Sequence, residues 1–494
     1  MAKIFLTKEQ AREKLFSGVN KLADAISSTL GPAGKNAIIG RPYQDPLITN
    51  DGATIAKETI FDDEIENLGA EIIRQVTKRT DGNAGDGTTT TTVLLQSILN
   101  EAQSKLNGDS LITSTNNTML IKKQIDDECI KALSELEKQK IEIKTKKDLK
   151  NIASVSMESD EYGELLADTF WKIGKDGVVT VEDSVDFNIE SEIMTGLEIP
   201  HGFVSSYMSN TDEENCVFNS INILVTNNKI GSLEQLKPIT NKIFGKTKQL
   251  VLFTDNIEKE VISGLIISKV SGSFNLTVVK TPVGRKDILE DIATVVGANF
   301  YEVDKGMDIT NITVEELGFA DKITIDKDKT LIVGGTGSNK DHIKKLKAQL
   351  ESSKSVYDKE QLEKRIAKIT GGVAVIKVGA VSESEREYLK LKIEDAVNAT
   401  KWAFKDGYVR GGGLALKAVA ESMKDNLLYK ALKKPYEKIQ ENAGGNLEIP
   451  DTVIDPYKVV SQALKNACST AGMFITTDIA IADKVEKPKD ISLD

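Results

Sequence analysis

The run Gly85-Asp86-Gly87-Thr88-Thr89-Thr90-Thr91-Thr92 sets one carboxylate between two glycines and follows it with hydroxyls. That pattern suits a phosphate and a hard divalent cation. The glycines let backbone N–H groups approach a polyanion, Asp86 offers an oxygen to Mg²⁺, and the threonines open an apolar helix (Val93, Leu94, Leu95, Ile98, Leu99) whose N-terminus favours negative charge. The same residues also suit a capped turn leading into a core helix, and the octapeptide alone leaves both readings open.

Two upstream segments have related chemistry. Thr29-Leu30-Gly31-Pro32-Ala33-Gly34 breaks a helical stretch whose apolar positions Val19, Leu22, Ala23 and Ile26 follow the 3.6-residue period, which makes it a second loop of backbone donors. In Ile48-Thr49-Asn50-Asp51-Gly52-Ala53, a strand-like entry meets an Asp-Gly turn and a new helix, so the Asp51 carboxylate falls at a helix N-terminus. A plain helix cap is the bland reading of Asp51.

These elements need a large scaffold. A chain of 494 residues exceeds what one core usually serves, so two or three domains are expected. The net charge of -11 argues against a nucleic-acid surface. Cys129, Cys216 and Cys468 show no paired spacing, and with His201 and His342 the only imidazoles, neither a disulfide framework nor a zinc site is expected. No apolar run approaches the roughly 18 residues of a membrane span and the N-terminus lacks a signal-peptide pattern, so the expected location is cytoplasmic, without membrane partners.

Residues 1 to 138 and the end of the chain read as helix-rich. From Asp183 to Gly372 the texture changes to β-branched runs (Ile221–Val225, Gln249–Phe253, Leu276–Val279) alternating with helical segments, an α/β insert. The charged stretch Lys340–Lys368 reads as two antiparallel helices with Leu346, Leu350, Leu362 and Ile366 as their buried stripe. Gly334-Gly335-Thr336-Gly337 lacks the spacing of a dinucleotide fingerprint and reads as a turn.

In order and spacing, the three loop segments resemble the group I chaperonins, the bacterial GroEL-type ring ATPases. The likeness continues through Gly371–Gly379, Glu394–Thr400, Gly411–Leu416 and Asp455–Val459. The resemblance implies a multidomain GroEL-like chaperonin fold. Its parts are a helical equatorial ATPase domain (1–138 and 408–494), a small α/β intermediate domain (139–194 and 374–407) and an α/β apical domain (195–373). The implied function is an ATP-dependent ring chaperonin that binds and folds non-native polypeptides; a non-cycling holdase or scaffold on the same fold is the alternative.

Residue by residue, the resemblance implies that Thr29, Leu30, Gly31 and Pro32 form a phosphate and K⁺ loop, that Asp86 is the Mg²⁺ ligand, and that Gly87, Thr88, Thr89 and Thr90 face the phosphates. Gly412 and Asp455 match adenosine contacts. Asp395 matches the carboxylate that swings in with domain closure to orient the attacking water, with Asp51 beside it. Gly196, Gly371 and Gly372 match hinges. Phe203, Tyr207, Met208, Leu236, Val261, Ile262, Ile266 and Ile267 match an apolar groove for unfolded clients and then a lid co-chaperonin; spacing alone fits core packing equally well.

The chain departs from the family pattern in places. Lys237 and Thr240 stand where leucines are usual in the second groove helix, the segment between Tyr436 and Asp455 is shortened, and Asn107–Asn117 is a polar insertion. The last two fall on the face that pairs rings in the family, so the expected assembly is a homo-oligomeric, heptameric ring, either single or weakly paired.

Overall fold

The computed structural model describes residues 3–41, 46–107, 117–184, 187–211, 214–243, 248–353 and 355–484; the polar insertion falls almost wholly outside them. The chain divides into two compact units. One comprises Met1–Phe170, Val181–Glu190 and Lys377–Asp494, the other Trp171–Thr180 and Ser191–Ile376. The strands Val178–Asp183, Ile189–Met194 and Val373–Val378 each carry the chain from one unit to the other.

The first unit is built on long helices: Lys8–Ser27, Glu64–Ala84, Thr88–Asn107, Thr118–Glu137, Glu383–Asp406, Leu428–Asn442 and Tyr457–Phe474. Their apolar stripes meet in one core that includes Leu22, Ile26, Ile73, Leu94, Leu95, Ile98, Leu99, Leu432 and Leu464. Small residues permit close helix approach at Gly18 and Gly69, where an added Cβ would fall about 2 Å from the carbonyls of Glu66 and Leu15. Short two-stranded sheets pin the edges, pairing Lys3–Thr7 with Ile479–Asp483, Ala37–Ile39 with Leu47–Thr49, and Tyr408–Arg410 with Ile454–Pro456. Buried Glu128 accepts hydrogen bonds from the N–H groups of Leu427 (3.2 Å) and Leu428 (2.9 Å), which caps the helix Leu428–Asn442 from a neighbouring helix.

The second unit centres on a six-stranded mixed sheet in the order Gly196–Ile199, Thr330–Gly335, Gly318–Ile325, Cys216–Thr226, Gln249–Thr254, Asn275–Lys280. The last three strands run parallel and are near-continuously apolar (Leu250 to Phe253 are 0% exposed), as strands covered on both faces must be. The charged stretch forms the helices Lys340–Ser352 and Val356–Gly371. Leu346 is buried and Leu350, Leu362 and Ile366 are half-buried. A buried carboxylate ties this pair to the helix Lys286–Val296: Asp291 meets His342 Nε2 at 2.7 Å and accepts from Arg365 Nε (2.8 Å) and Nη2 (2.7 Å). Gly334 and Gly335, read as a turn, instead end the strand Thr330–Gly335. Their backbone N–H groups reach the carbonyl of Thr195, a pairing the dipeptide's composition does not signal.

Of the glycines matched to hinges, Gly196 opens a strand, Gly371 ends a helix, and Gly372 follows with φ 65°. The three cysteines are free and buried.

Candidate nucleotide site

The helix Glu64–Ala84 stops at Gly85, which is left-handed at φ 65° and donates its N–H to Asp81 O. Two residues later Gly87 is again left-handed (φ 83°), and the next helix starts at Thr88. The double reversal turns Asp86 inward. An added Cβ would meet Asn398 Nδ2 at 2.3 Å from Gly85 and Val459 Cγ1 at 2.6 Å from Gly87, so both positions need glycine for space as well as for φ. Helical phase then sorts the five threonines. Thr91 and Thr92 are buried and bond back to the carbonyls of Gly87 (2.9 Å) and Thr88 (3.0 Å), whereas Thr88, Thr89 and Thr90 line an open pocket of about 200 Å³.

That pocket gathers most of the residues picked out in the sequence. Thr29, Leu30, Gly31, Asp51, Asp86, Gly87, Thr88, Thr89, Thr90, Asp395 and Asp455 all line it, drawn from five separate stretches of the first unit. Pro32 and Gly412 do not. Pro32 is exposed in its turn, and Gly412 stands behind Asp455, on which its backbone hydrogen bond acts. Asp51 is the cap of the bland reading as well as a pocket residue: it accepts from the N–H groups of Ala53 (3.2 Å) and Thr54 (2.7 Å), and Thr88 Oγ1 lies 3.4 Å from its Oδ1. Asp395, on the helix Glu383–Asp406, already faces the same pocket as Asp86.

The electrostatics are those of crowded carboxylates. Burial, reinforced by Asp455, Asp51 and Asp81, raises Asp86 to about 7, with the Gly87 N–H opposing. Burial raises Asp455 to about 6. Asp395 is pushed well above the carboxylate range, first by burial and then by the charges of Asp86 and Asp51. Lys392, the single basic residue among the described lining residues, does not relieve them, because its Nζ pairs with Glu158 at 2.8 Å. Burial works to lower Lys392, but Glu158 and Tyr388 outweigh it and the net shift is upward.

Several pocket features escaped the sequence reading. Lys392 and Glu158 are far apart in the chain, and neither belongs to a signalled motif. Asn442 donates to the carbonyls of Ser27 (3.0 Å) and Leu30 (2.9 Å), which fixes the Thr29–Gly31 loop. The shortened segment before Asp455 folds back through the Gln440 amide, which bonds both the N–H and the carbonyl of Leu447 (2.8 and 2.7 Å), and it sets Ile449 against Gly412. Asn442 ends the helix Leu428–Asn442, and its local sequence does not signal this contact.

Comparison with known proteins identifies the family and the fold. The sequence profile of the TCP-1/cpn60 chaperonin family matches residues 22–444. The chain belongs to that family. Its fold is similar to that of the chaperonin gp146 from bacteriophage EL 2 (Pseudomonas aeruginosa), crystallised in presence of ATP-BeFx. In one crystal form the TM-score is 0.67 at 19% identity, over 98% of this chain and 100% of that one. In a second form the TM-score is 0.63 at 19% identity, over 97% and 99%. The fold is therefore the GroEL-like chaperonin fold.

The residues matched to a client groove separate by burial. Met208 (1% exposed), Leu236 (2%), Val261 (2%) and Phe203 (9%) are packed in the core of the second unit, which corrects the expectation that they form an open apolar strip. Ile262 and Ile266 are half-buried, and Tyr207 and Ile267 are exposed, as are Val270 and Leu233. The helix Lys259–Val270 is apolar on nearly every side, so periodicity gave no means of telling its inward residues from its outward ones. Lys237 is exposed and pairs with Glu234, so the second helix presents a polar face.

Proposed function

We propose that this chaperonin is an ATP-driven protein-folding machine of three domains divided as the sequence suggests, with Gly196, Gly371 and Gly372 as hinges. The supporting observation is the convergence of Asp51, Asp86 and Asp395 with Thr88–Thr90 in one pocket. Asp86, Asp395 and Asp455, each with a raised pKa, and the lack of a free cation among the described lining residues make a site whose ionised state a divalent metal would stabilise. Among the described residues no group of three acidic, His or Cys side chains could form an all-protein metal cage. Mg²⁺ needs none, since it is commonly held by one or two carboxylates together with substrate phosphates. Asp86 is the ligand that fits. Bound Mg²⁺-ATP would supply the phosphoryl group and the charge neutralisation its transfer requires.

The chain's residues do the rest. The Thr88–Thr90 hydroxyls and the start of the helix Thr88–Asn107 receive phosphate oxygens, the Thr29–Gly31 backbone closes the opposite side and is the seat for K⁺, and Asp455 with Gly412 faces the nucleoside. Asp395 orients the attacking water and takes its proton.

Outward-facing Tyr207, Ile267 and half-buried Ile262 and Ile266 make the client surface, and a lid co-chaperonin would share it. Assembly into a heptameric ring, single or weakly paired, is what the resemblance implies, and the two-stranded sheets of the first unit support self-association. Cross-strand partners Phe5 (58% exposed) and Ile481 (52%), and Ile38 (72%) and Ile48 (39%), offer apolar faces beside open strand edges to a second copy.

The deciding experiment is Asp395→Ala. Nucleotide binding should stay near the parent value while hydrolysis falls by orders of magnitude, a loss of roughly 3–5 kcal/mol of transition-state stabilisation. Undiminished turnover would remove Asp395 from the mechanism.

A further inference from the structure

A second cavity, of about 760 Å³, opens in the second unit between the segment Pro200–Val204, the start of the helix Lys259–Val270 and the loop after the strand Asn275–Lys280. Its walls alternate two chemistries. Ile262, Pro282 and Val283 supply apolar surface, with Val283 73% exposed, backed by the buried Phe203 and Ile257. Lys259, Lys280 and Lys327 line the same cavity against one carboxylate, Asp328. All three lysines are exposed, and none forms an ion pair among the described residues. Thr281, on the cavity floor, is 1% exposed, and its hydroxyl has no hydrogen-bond partner. His201 adds no charge of its own at neutral pH, since burial, with Arg285 and Lys368, lowers its pKa.

A small anion would satisfy the lysines and leave the apolar walls wet. A purely apolar segment would cover the walls and leave three cations facing it. We infer that this cavity docks an acidic segment of a client polypeptide, one that places carboxylates next to large apolar side chains. The inference rests on the reading that this unit binds clients, and it names the charge class that the unit selects. The size suits a few side chains of an extended peptide: ligand cavities run from about 300 to 1,000 Å³. Exposed charge pairs contribute modestly each, so the selection is a matter of several lysines acting together and weakens with salt.

The test is fluorescence anisotropy of the full chain with two labelled peptides of equal length, one alternating Leu with Glu and one alternating Leu with Lys. The acidic peptide should bind several-fold more tightly at low salt. Replacing the three lysines together (Lys259→Gln, Lys280→Gln, Lys327→Gln) should weaken it about tenfold or more, a few-fold per lysine, and leave the basic peptide unaffected or improved. Val283→Ser should weaken both peptides, and neither set of changes should alter ATP turnover without peptide. Equal affinity for the two peptides, or an indifferent triple variant, would overturn the acidic-segment inference while leaving client binding in place. If neither peptide bound, the client reading of this unit would fall with it. A single-stranded oligonucleotide that displaced the acidic peptide at equal concentration would also overturn the inference, by marking the cavity as a polyanion site.

Discussion

The crowded carboxylates of the nucleotide pocket should make the nucleotide-free protein less stable as pH rises, and Asp86→Asn should reverse that. Burial and the neighbouring charges of Asp455, Asp51 and Asp81 lift Asp86 from the ordinary carboxylate range to about 7. A carboxyl with a raised pKa in the folded state stabilises the fold fully below its unfolded value near 4, and the contribution is lost as pH climbs through about 7. A shift of about 3 units at about 1.36 kcal/mol each puts the upper bound on the cost of ionising Asp86 at about 4 kcal/mol. Asparagine keeps the shape and the oxygen that accepts the Gly87 N–H but carries no charge. For a unit of roughly 300 residues, recovering 1–4 kcal/mol raises the melting temperature by about 2–6 °C. Calorimetry without Mg²⁺ or nucleotide, at pH 5 and pH 8, is the assay. The variant should melt above the parent at pH 8, the difference should shrink toward pH 5, and Mg²⁺-ATP should stabilise the parent far more than the variant. A variant that melted at or below the parent at pH 8 would refute the claim that like-charge crowding and burial dominate this pocket.

Two further outcomes follow from the packing, and one from the exposed strand edges. Gly87→Ala must hold a side chain at φ 83° with its Cβ 2.6 Å from Val459, so nucleotide-dependent thermal stabilisation should vanish and the melting temperature should fall. Glu128→Ala strips the cap from the helix Leu428–Asn442 and leaves the N–H groups of Leu427 and Leu428 unpaired, a loss of about 2–3 kcal/mol in chemical denaturation, only partly restored by Gln, whose single carbonyl oxygen replaces one of the two acceptors. Native mass spectrometry with and without Mg²⁺-ATP should give seven copies of the chain; fourteen would show that ring pairing persists despite the shortened segment, and a monomer under both conditions would defeat the ring reading.

The chemistry of the pocket was legible where it is local. Gly85, Asp86, Gly87 and Thr88 are consecutive, and a left-handed turn into a helix can be recognised from four residues. Asp395 and Asp455 were legible through family resemblance alone, since nothing near them in sequence marks a pocket. The rest depended on long-range contacts. The Lys392–Glu158 pair and the Asn442 clamp on Leu30 join residues hundreds of positions apart, and no period or motif encodes such meetings. Met208, Leu236 and Val261 were placed on a surface because an apolar stripe has the same sequence whether it faces a client or the unit's own sheet. For the threonines, composition showed a hydroxyl cluster, but only helix phase could divide Thr88–Thr90 from Thr91 and Thr92.

The helix Glu383–Asp406 connects these observations. Lys392, Asp395 and Ala399 share the face that lines the pocket, and Asn398, beside them, donates its Nδ2 to Gly85 O at 3.2 Å. The proposed base for the attacking water, the ion pair with Glu158 and a clamp on the Asp86 turn therefore sit within two turns of one helix. A rotation of that helix that withdrew Asp395 would also pull on Asn398 and strain the Lys392–Glu158 pair, which favours discrete engaged and disengaged positions over a graded slide. The family resemblance implies gating by closure through a single carboxylate. The structure adds two contacts that would have to break with it, so weakening either one, by Asn398→Ala or Glu158→Gln, should loosen the hold on Asp395 without touching the chemistry proposed for it.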